Sequence, residues 1–212
     1  MSKQIKACIL GDYSHPDWHP FDPIDKELTS ILSDSMTVDC TENYDSLASE
    51  QIRDYDLFIS YADKWKTAVT PEQTAGLLSF VSNGGGLVVI HCGISLQKRP
   101  ELCHMIGAKF TGHPPYRSID IELTAPDHEI LKGVEGFTIN DEPYQFDHVP
   151  YTDRTVLLEY EHEGSKVQAA WAHEYGLGRI VYLMPGHDVG PFQIPAYRTI
   201  IKQSCDWVLR KS

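Results

Sequence analysis

Three histidines and one glutamate have the residue types that general acid-base chemistry requires. His91 follows four apolar residues, His113 precedes two prolines, and His187 stands in a Pro-Gly-His-Asp segment after another apolar run. Glu142 belongs to the segment Asp-Glu-Pro-Tyr. Because imidazole and carboxylate exchange protons near neutral pH, these four residues are the predicted catalytic groups. They are also the predicted ligands for a divalent metal, Zn²⁺ foremost, because both side-chain types bind such ions.

Cys92 directly follows His91 and leaves a different chemistry open. A thiol at a sharp turn near helix amides can have a lowered pKa and act as a nucleophile. His187 and Asp188 would then supply a base and the group that orients it. The sequence therefore keeps a cysteine-dependent amidase or hydrolase as an alternative, beside the ordinary interpretation of Cys92 as a buried core thiol.

Aromatic and polar residues near the ends of predicted strands are candidates for binding a sugar, because aromatic rings stack on sugar faces. The predicted substrate-binding residues are Tyr13, Trp18, Asp63, Trp65, Tyr116, Tyr144 and Asp188.

His15 and His19 are four residues apart, but a proline follows each of them. Since proline disfavours the helix that would pair them on a metal, we interpret both as exposed loop histidines.

The first half of the chain alternates strand-length apolar runs with helix-like segments. This order is typical of parallel strands joined by crossover helices. Strands are predicted over residues 5–10, 36–40, 56–61 and 87–91, and a helix begins at Pro71 behind a Thr70 cap. Because the carboxyl ends of parallel strands meet at one edge of a sheet, the loops after these strands should line one crevice.

The second half favours antiparallel hairpins appended to that sheet. Strands are predicted over residues 118–123, 156–161, 166–171 and 179–184, and a helix over 197–209 closes the chain. Because that last helix has an apolar face, the sequence is compatible with a homo-oligomer.

The run of three glycines at 84–86 precedes a strand. It therefore ends a helix and does not bind a phosphate, and no nucleotide cofactor is expected.

Length and charge narrow the class of protein. A chain of 212 residues with 42% hydrophobic residues suits one domain, 1–212. Acidic residues number 30 and basic residues 18, which gives a formal charge of −12 that repels nucleic acid and anionic membranes. Five scattered cysteines and the lack of a run near the roughly 18 apolar residues of a membrane span predict a cytoplasmic protein.

Several short segments, taken in order, resemble the ThuA-like, or trehalose-utilisation, family over roughly residues 5–209. The segments are GGGLVVIH at 84–91, GHP at 112–114, DHEI at 127–130 with Gly133, DEPY at 141–144, and YGLGRI at 175–180 with Gly186-His187. The resemblance implies an α/β fold of the class I glutamine amidotransferase-like type. That fold is a three-layer sandwich around a mainly parallel, flavodoxin-like sheet. The family resemblance also implies a role in carbohydrate catabolism, with a small sugar or keto-sugar derivative as ligand.

These observations favour an enzyme acting on a keto-sugar by acid-base chemistry, with or without a metal. A carbonyl at the third carbon of a sugar acidifies the neighbouring C–H, so isomerisation, or elimination followed by hydration, fits the predicted residues. A non-enzymatic sugar-binding or regulatory protein is one alternative. The other is catalysis by Cys92, since amidotransferases that resemble this fold place a nucleophilic cysteine at the corresponding corner.

Overall fold

The computed structural model describes residues 4–210, which form a mixed α/β fold of eleven strands and five α-helices within that range. The strands are β1 Lys6–Gly11, β2 Thr37–Thr41, β3 Leu57–Tyr61, β4 Gly86–Ile90, β5 Ala108–Gly112, β6 Arg117–Leu123, β7 Phe137–Asp141, β8 Gln145–His148, β9 Arg154–His162, β10 Ser165–Tyr175 and β11 Gly178–Leu183. The α-helices are α1 Ile24–Leu32, α2 Ser49–Ile52, α3 Pro71–Ser82, α4 Pro100–Ile106 and α5 Pro195–Val208.

A nine-stranded sheet in the order β2-β1-β3-β4-β11-β10-β9-β6-β7 forms the centre of the fold. Its first five strands pair in parallel, and the remaining pairings are antiparallel. The predicted fold class, a mainly parallel sheet with appended antiparallel strands, is therefore confirmed. Strands β1, β3 and β4 are almost completely buried, which explains why their apolar runs were readable in the sequence.

Strand β11 joins the two halves of the sheet. It was predicted as part of a hairpin, and it does pair antiparallel with β10, but its other edge pairs in parallel with β4.

Strands β5 and β8 form a separate antiparallel ribbon that the sequence did not predict. Both are short and alternate weakly, with the sequences AKFTG and QFDH, so neither carries a clear strand pattern.

The helices pack in two groups beside the sheet. Helix α3 contacts α2 and α4, whereas α5 contacts α1 and the strands β4 and β11. Helix α3 begins as predicted, because Thr70 and Gln73 form a reciprocal capping box and Pro71 occupies the first helical position. No helix within residues 4–210 combines the length and apolar character needed to cross a bilayer.

A histidine and carboxylate cluster as candidate active site

The candidate site lies where the parallel strands end. Loops leaving β1, β3, β4 and β11 meet at this edge of the sheet, as the strand order requires. The segment after β7 reaches the same place and contributes Glu142. The site therefore combines four loops of the parallel sheet with the segments after β7 and after β5, the second of which contributes His113, an arrangement that strand prediction alone does not give.

His91 occupies the sharp corner after β4. Its φ angle is 45°, in the left-handed region that only a few non-glycine residues adopt. The ring is fully buried, and its Nδ1 lies 2.7 Å from the carbonyl oxygen of Met184. Because a carbonyl can only accept, Nδ1 carries the proton and donates it, which leaves the lone pair on Nε2. Burial lowers the pKa of His91 to about 4, so the ring is neutral.

Glu142 is the centre of the cluster. Its Oε2 lies 3.1 Å from Nδ1 of His187 and 3.7 Å from Nε2 of each of His19, His91 and His113. Burial alone would raise the pKa of Glu142, but the surrounding imidazoles, His187 above all, hold it well below its usual range. The structure thus brings together all four predicted catalytic residues other than Cys92.

His19 is the functional candidate that sequence reasoning missed. The prediction of an exposed loop histidine is wrong, because the residue is only 3% exposed. Its Nδ1 lies 2.8 Å from Oδ1 of Asp63, and the same carboxylate accepts the backbone N–H groups of Trp18 and His19. Burial would lower the pKa of His19, but Asp63 and Glu142 outweigh it and raise that pKa. The prolines that excluded a helix are compatible with this loop, and its place directly after β1 was the available signal.

Asp141 positions two members of the cluster from beneath. It is fully buried, and its carboxylate accepts backbone N–H groups of Glu142 at 2.7 Å, Gly186 at 2.7 Å and His187 at 3.3 Å. Burial raises the pKa of Asp141 to about 7, although these three donors act in the opposite direction. The contacts connect the end of β7 to the loop after β11. Asp141 therefore fixes Glu142 relative to His187.

An aromatic-walled cavity of about 490 Å³ opens above the cluster. Its lining residues are Trp18, His19, Trp65, Phe110, His113, Glu142, Tyr144 and His187. The ring of Tyr144 lies 4.1 Å from that of His91, and Phe110 packs against Tyr144 and Trp65 at 4.3 and 5.0 Å between ring centroids. Trp18 stands at the rim with 70% of its surface exposed. The predicted sugar-binding residues Trp18, Trp65 and Tyr144 thus share one cavity.

The other predicted substrate-binding residues lie outside this lining. Asp63 is 2% exposed and sits behind His19, so it orients a ring of the cluster. Tyr13 donates its hydroxyl to Asp25 at 2.8 Å and packs on Phe21. Tyr116 donates to Asp188 at 2.8 Å, and its ring centroid is 5.5 Å from that of His187. Tyr116 and Asp188 line an adjacent groove beside the cavity.

Cys92 does not reach the cavity. The side chain is completely buried, and its thiol donates to the carbonyl oxygen of Tyr61 at 3.3 Å. Burial raises the pKa of Cys92 well above its usual value, so the thiolate that nucleophilic catalysis needs is disfavoured. At this corner His91, not Cys92, has the strained backbone that presents a side chain to the site.

We expect Cys92 to resist alkylation in the folded protein. Iodoacetamide should modify the half-buried Cys40 and Cys103 first, and Cys92 only after denaturant is added, because the folded core excludes the reagent and keeps the thiol protonated. Peptide mass spectrometry of timed samples measures the order. Modification of Cys92 ahead of both half-buried thiols, without unfolding, would contradict this placement and revive the cysteine-dependent hydrolase.

Comparisons with known proteins agree with this fold. The family model described as ThuA, trehalose utilisation, matches residues 16–208. Curated proteins give no significant match. A ThuA-like protein from Bacteroides uniformis is 17% identical with a TM-score of 0.76, over 98% of this chain and 93% of that one. A second from Parabacteroides merdae is 17% identical with a TM-score of 0.78, over 98% and 90%. A protein from Salmonella typhimurium, described as cytoplasmic, is 14% identical with a TM-score of 0.67, over 96% and 99%.

Proposed function

Because the chain belongs to the ThuA family, whose description is trehalose utilisation, we propose that it is an enzyme that moves protons on a sugar or keto-sugar derivative. The family relation supports a role connected with carbohydrates. The observation that carries the finer proposal is the convergence of four imidazole rings on one carboxylate oxygen, at the base of an aromatic-walled cavity. These are proton-transferring groups in contact with a space of suitable size for a small ligand.

The walls of the cavity favour an uncharged sugar. Trp18, Trp65 and Phe110 offer ring faces for the C–H surface of a pyranose, and the buried Tyr144 supports them from behind. Neither lysine nor arginine is among the residues that line the cavity, and the carboxylate of Glu142 is. A phosphorylated or acidic sugar would bring its negative charge next to that carboxylate, and no lysine or arginine among the lining residues would receive it. We therefore take a neutral keto-sugar or keto-glycoside as the substrate class.

The proposed reaction starts at the carbon next to a ketone. A base removes the C–H proton, and the electron pair of that bond forms an enediolate with the neighbouring carbonyl. Returning a proton to the adjacent carbon isomerises the sugar. Alternatively, the electron pair expels a glycosidic oxygen from the β carbon, an acid protonates the leaving oxygen, and water adds to the resulting double bond. Both courses need one base and one acid within reach of the ring.

His113 is placed to carry the substrate proton. Its side chain keeps 34% exposure toward the cavity, whereas those of His19 and His91 are almost fully buried. The Nδ1 of His113 lies 2.9 Å from the carbonyl oxygen of Pro114, which orients the ring and leaves Nε2 directed to Glu142. A divalent cation in the cluster would assist by stabilising the negative charge of the enediolate.

A cytoplasmic location is part of the same proposal. Cys8, Cys40, Cys92 and Cys103 are thiols in the structure, as a reducing compartment requires. The description of the Salmonella typhimurium protein as cytoplasmic supports the same location for this chain.

The proposal is tested by incubating the purified protein with 3-keto-glucosides and following the products by NMR. We expect conversion of the keto form and none of the parent glucoside, because only the ketone acidifies the neighbouring C–H. Binding of these sugars without conversion of any of them would contradict the proposal and identify a sugar-binding protein instead.

A further inference from the structure

We propose that His19, His91, His187 and Glu142 form a binding site for one divalent transition-metal ion. Their ligand atoms lie within 4.8 Å of one another. The proposal deepens the proposed function, since it names what the cluster holds, and its catalytic use rests on that function. The binding itself rests on three separate features of the cluster: its lone pairs, its distances and its second layer of hydrogen bonds.

Electron pairs face each other in the cluster without a proton between them. Met184 O fixes the proton of His91 on Nδ1, and the carboxylate of Asp63 does the same for His19. In the neutral rings, the form that binds a metal, both Nε2 atoms therefore direct lone pairs toward the carboxylate of Glu142, and neither buried Nε2 has a hydrogen-bond partner. Nδ1 of His187 is likewise buried and has no hydrogen-bond partner. A cation at the point where these atoms converge removes the repulsion and satisfies all of them.

The distances from His19 and His91 to Glu142 suit shared coordination better than direct hydrogen bonds. Nε2 of His19 and Nε2 of His91 are each 3.7 Å from Oε2 of Glu142, which is too long for an N–H···O bond. Two atoms bonded to one Zn²⁺ at about 2.0–2.1 Å, in roughly tetrahedral directions, lie about 3.4 Å apart. Small side-chain adjustments close the difference. Three imidazoles and one carboxylate are a ligand set that Zn²⁺ and its first-row neighbours accept.

A second layer of hydrogen bonds orients the proposed ligands. The carboxylate of Asp63 holds the ring of His19, a backbone carbonyl holds that of His91, and Asp141 accepts the backbone N–H groups of Glu142 and His187. Metal-binding histidines commonly donate their second ring N–H to a carboxylate or carbonyl in this way. Each of the four proposed ligands therefore has either its ring or its backbone held by an acceptor behind it.

The structure alters the metal site predicted from the sequence by placing His19 in the group and His113 at its edge. His113 lies outside the set of four atoms that converge, and it is the more exposed ring. A second group, His19 with Asp63 and Cys92, offers no open ligand atoms, because Nδ1 of His19 already bonds Asp63 and the thiol already donates to Tyr61. The four-residue group leaves His113 available for proton transfer.

The test is a titration of metal-free protein, prepared without a histidine tag, with Co²⁺ and Zn²⁺. Visible absorption reports Co²⁺ coordination, Zn²⁺ competes for the same site, and elemental analysis gives the stoichiometry. We expect one ion per chain. His19→Ala and His91→Ala should bind at least ~100-fold more weakly, since loss of an outer-layer partner alone costs about 10–100-fold, the effect expected for Asp63→Asn.

His15→Ala is the matched control, because it removes an exposed imidazole from the same loop and should bind the ion as the wild type does. His113→Ala should also retain the ion, which separates its role from that of the ligands. Metal-free wild type that binds no Co²⁺ or Zn²⁺, or a His19→Ala variant that binds as tightly as wild type, overturns the proposal. Because binding is read without substrate, one ion per chain with no keto-sugar conversion refutes only the proposed function.

Discussion

Replacing Glu142 with glutamine is expected to lower kcat on a 3-keto-glucoside by about 10²–10⁴-fold, the usual range for a group that supports proton transfer. The amide keeps the shape of the side chain but removes its charge. Oε2 of Glu142 lies within 3.7 Å of four imidazoles, so the substitution affects every imidazole of the cluster. Steady-state kinetics by NMR or a coupled assay measures the loss.

Glu135→Gln is the control for this substitution. Residue 135 is exposed and is not among the residues that line the cavity, so the kcat of Glu135→Gln should equal that of the wild type. Thermal unfolding checks that Glu142→Gln is folded, and a modest loss of stability is expected, because the surrounding imidazoles favour the ionised carboxylate in the folded protein. A folded Glu142→Gln variant with kcat within about threefold of wild type would show that the carboxylate takes no part in the reaction.

Gly93→Ala is expected to be among the most destabilising single substitutions. A Cβ at residue 93 would lie 2.0 Å from the carbonyl oxygen and 2.7 Å from the carbonyl carbon of Ser60, both backbone atoms of an adjoining strand. Neither can rotate away, so β3 or the corner after β4 must move. Overpacking of this kind costs about 3 kcal/mol at the upper end of its range, or about 6–12 °C in Tm for a domain of this size.

Gly164→Ala separates this clash from the general effect of losing a glycine. Gly164 has a φ of 77° in a hairpin turn, with nothing within 4 Å of the added Cβ, so the cost should be the ~1 kcal/mol of a left-handed alanine. Differential scanning calorimetry compares the two. Equal Tm values for the two variants would mean that the corner after β4 accommodates a methyl group and is not rigid.

The parallel half of the fold was predictable mainly because three of its strands, β1, β3 and β4, are almost completely buried. The runs before Gly11 and His91 contain only apolar residues, and the helix from Pro71 carries explicit start and stop signals. The ribbon of β5 and β8 was not predictable. Its strands are four or five residues long and partly exposed, and their pairing depends on contacts between segments more than thirty residues apart.

The sequence predicted which residues belong to the candidate site better than it predicted how those residues are arranged. His91, His187 and Glu142 stand near glycines or prolines at element ends, where side chains reach a crevice, and all three lie in the cluster. His19 was missed because its environment depends on Asp63, which is 44 positions away and invisible to local pattern. The corner after β4 was likewise not readable from the sequence, because only the contacts show that His91 approaches Glu142 while the neighbouring Cys92 points to the carbonyl of Tyr61.

The most direct test of the account is solvent-deuterium exchange at the carbon next to the ketone of a 3-keto-glucoside, followed by proton NMR. Wild-type protein should exchange that proton well above the rate without enzyme, and Glu142→Gln should lose most of the excess. Both results follow if the cluster removes the C–H proton. An excess rate of zero in the wild type, with binding of the sugar shown in the same sample, would contradict proton transfer as the activity of this site.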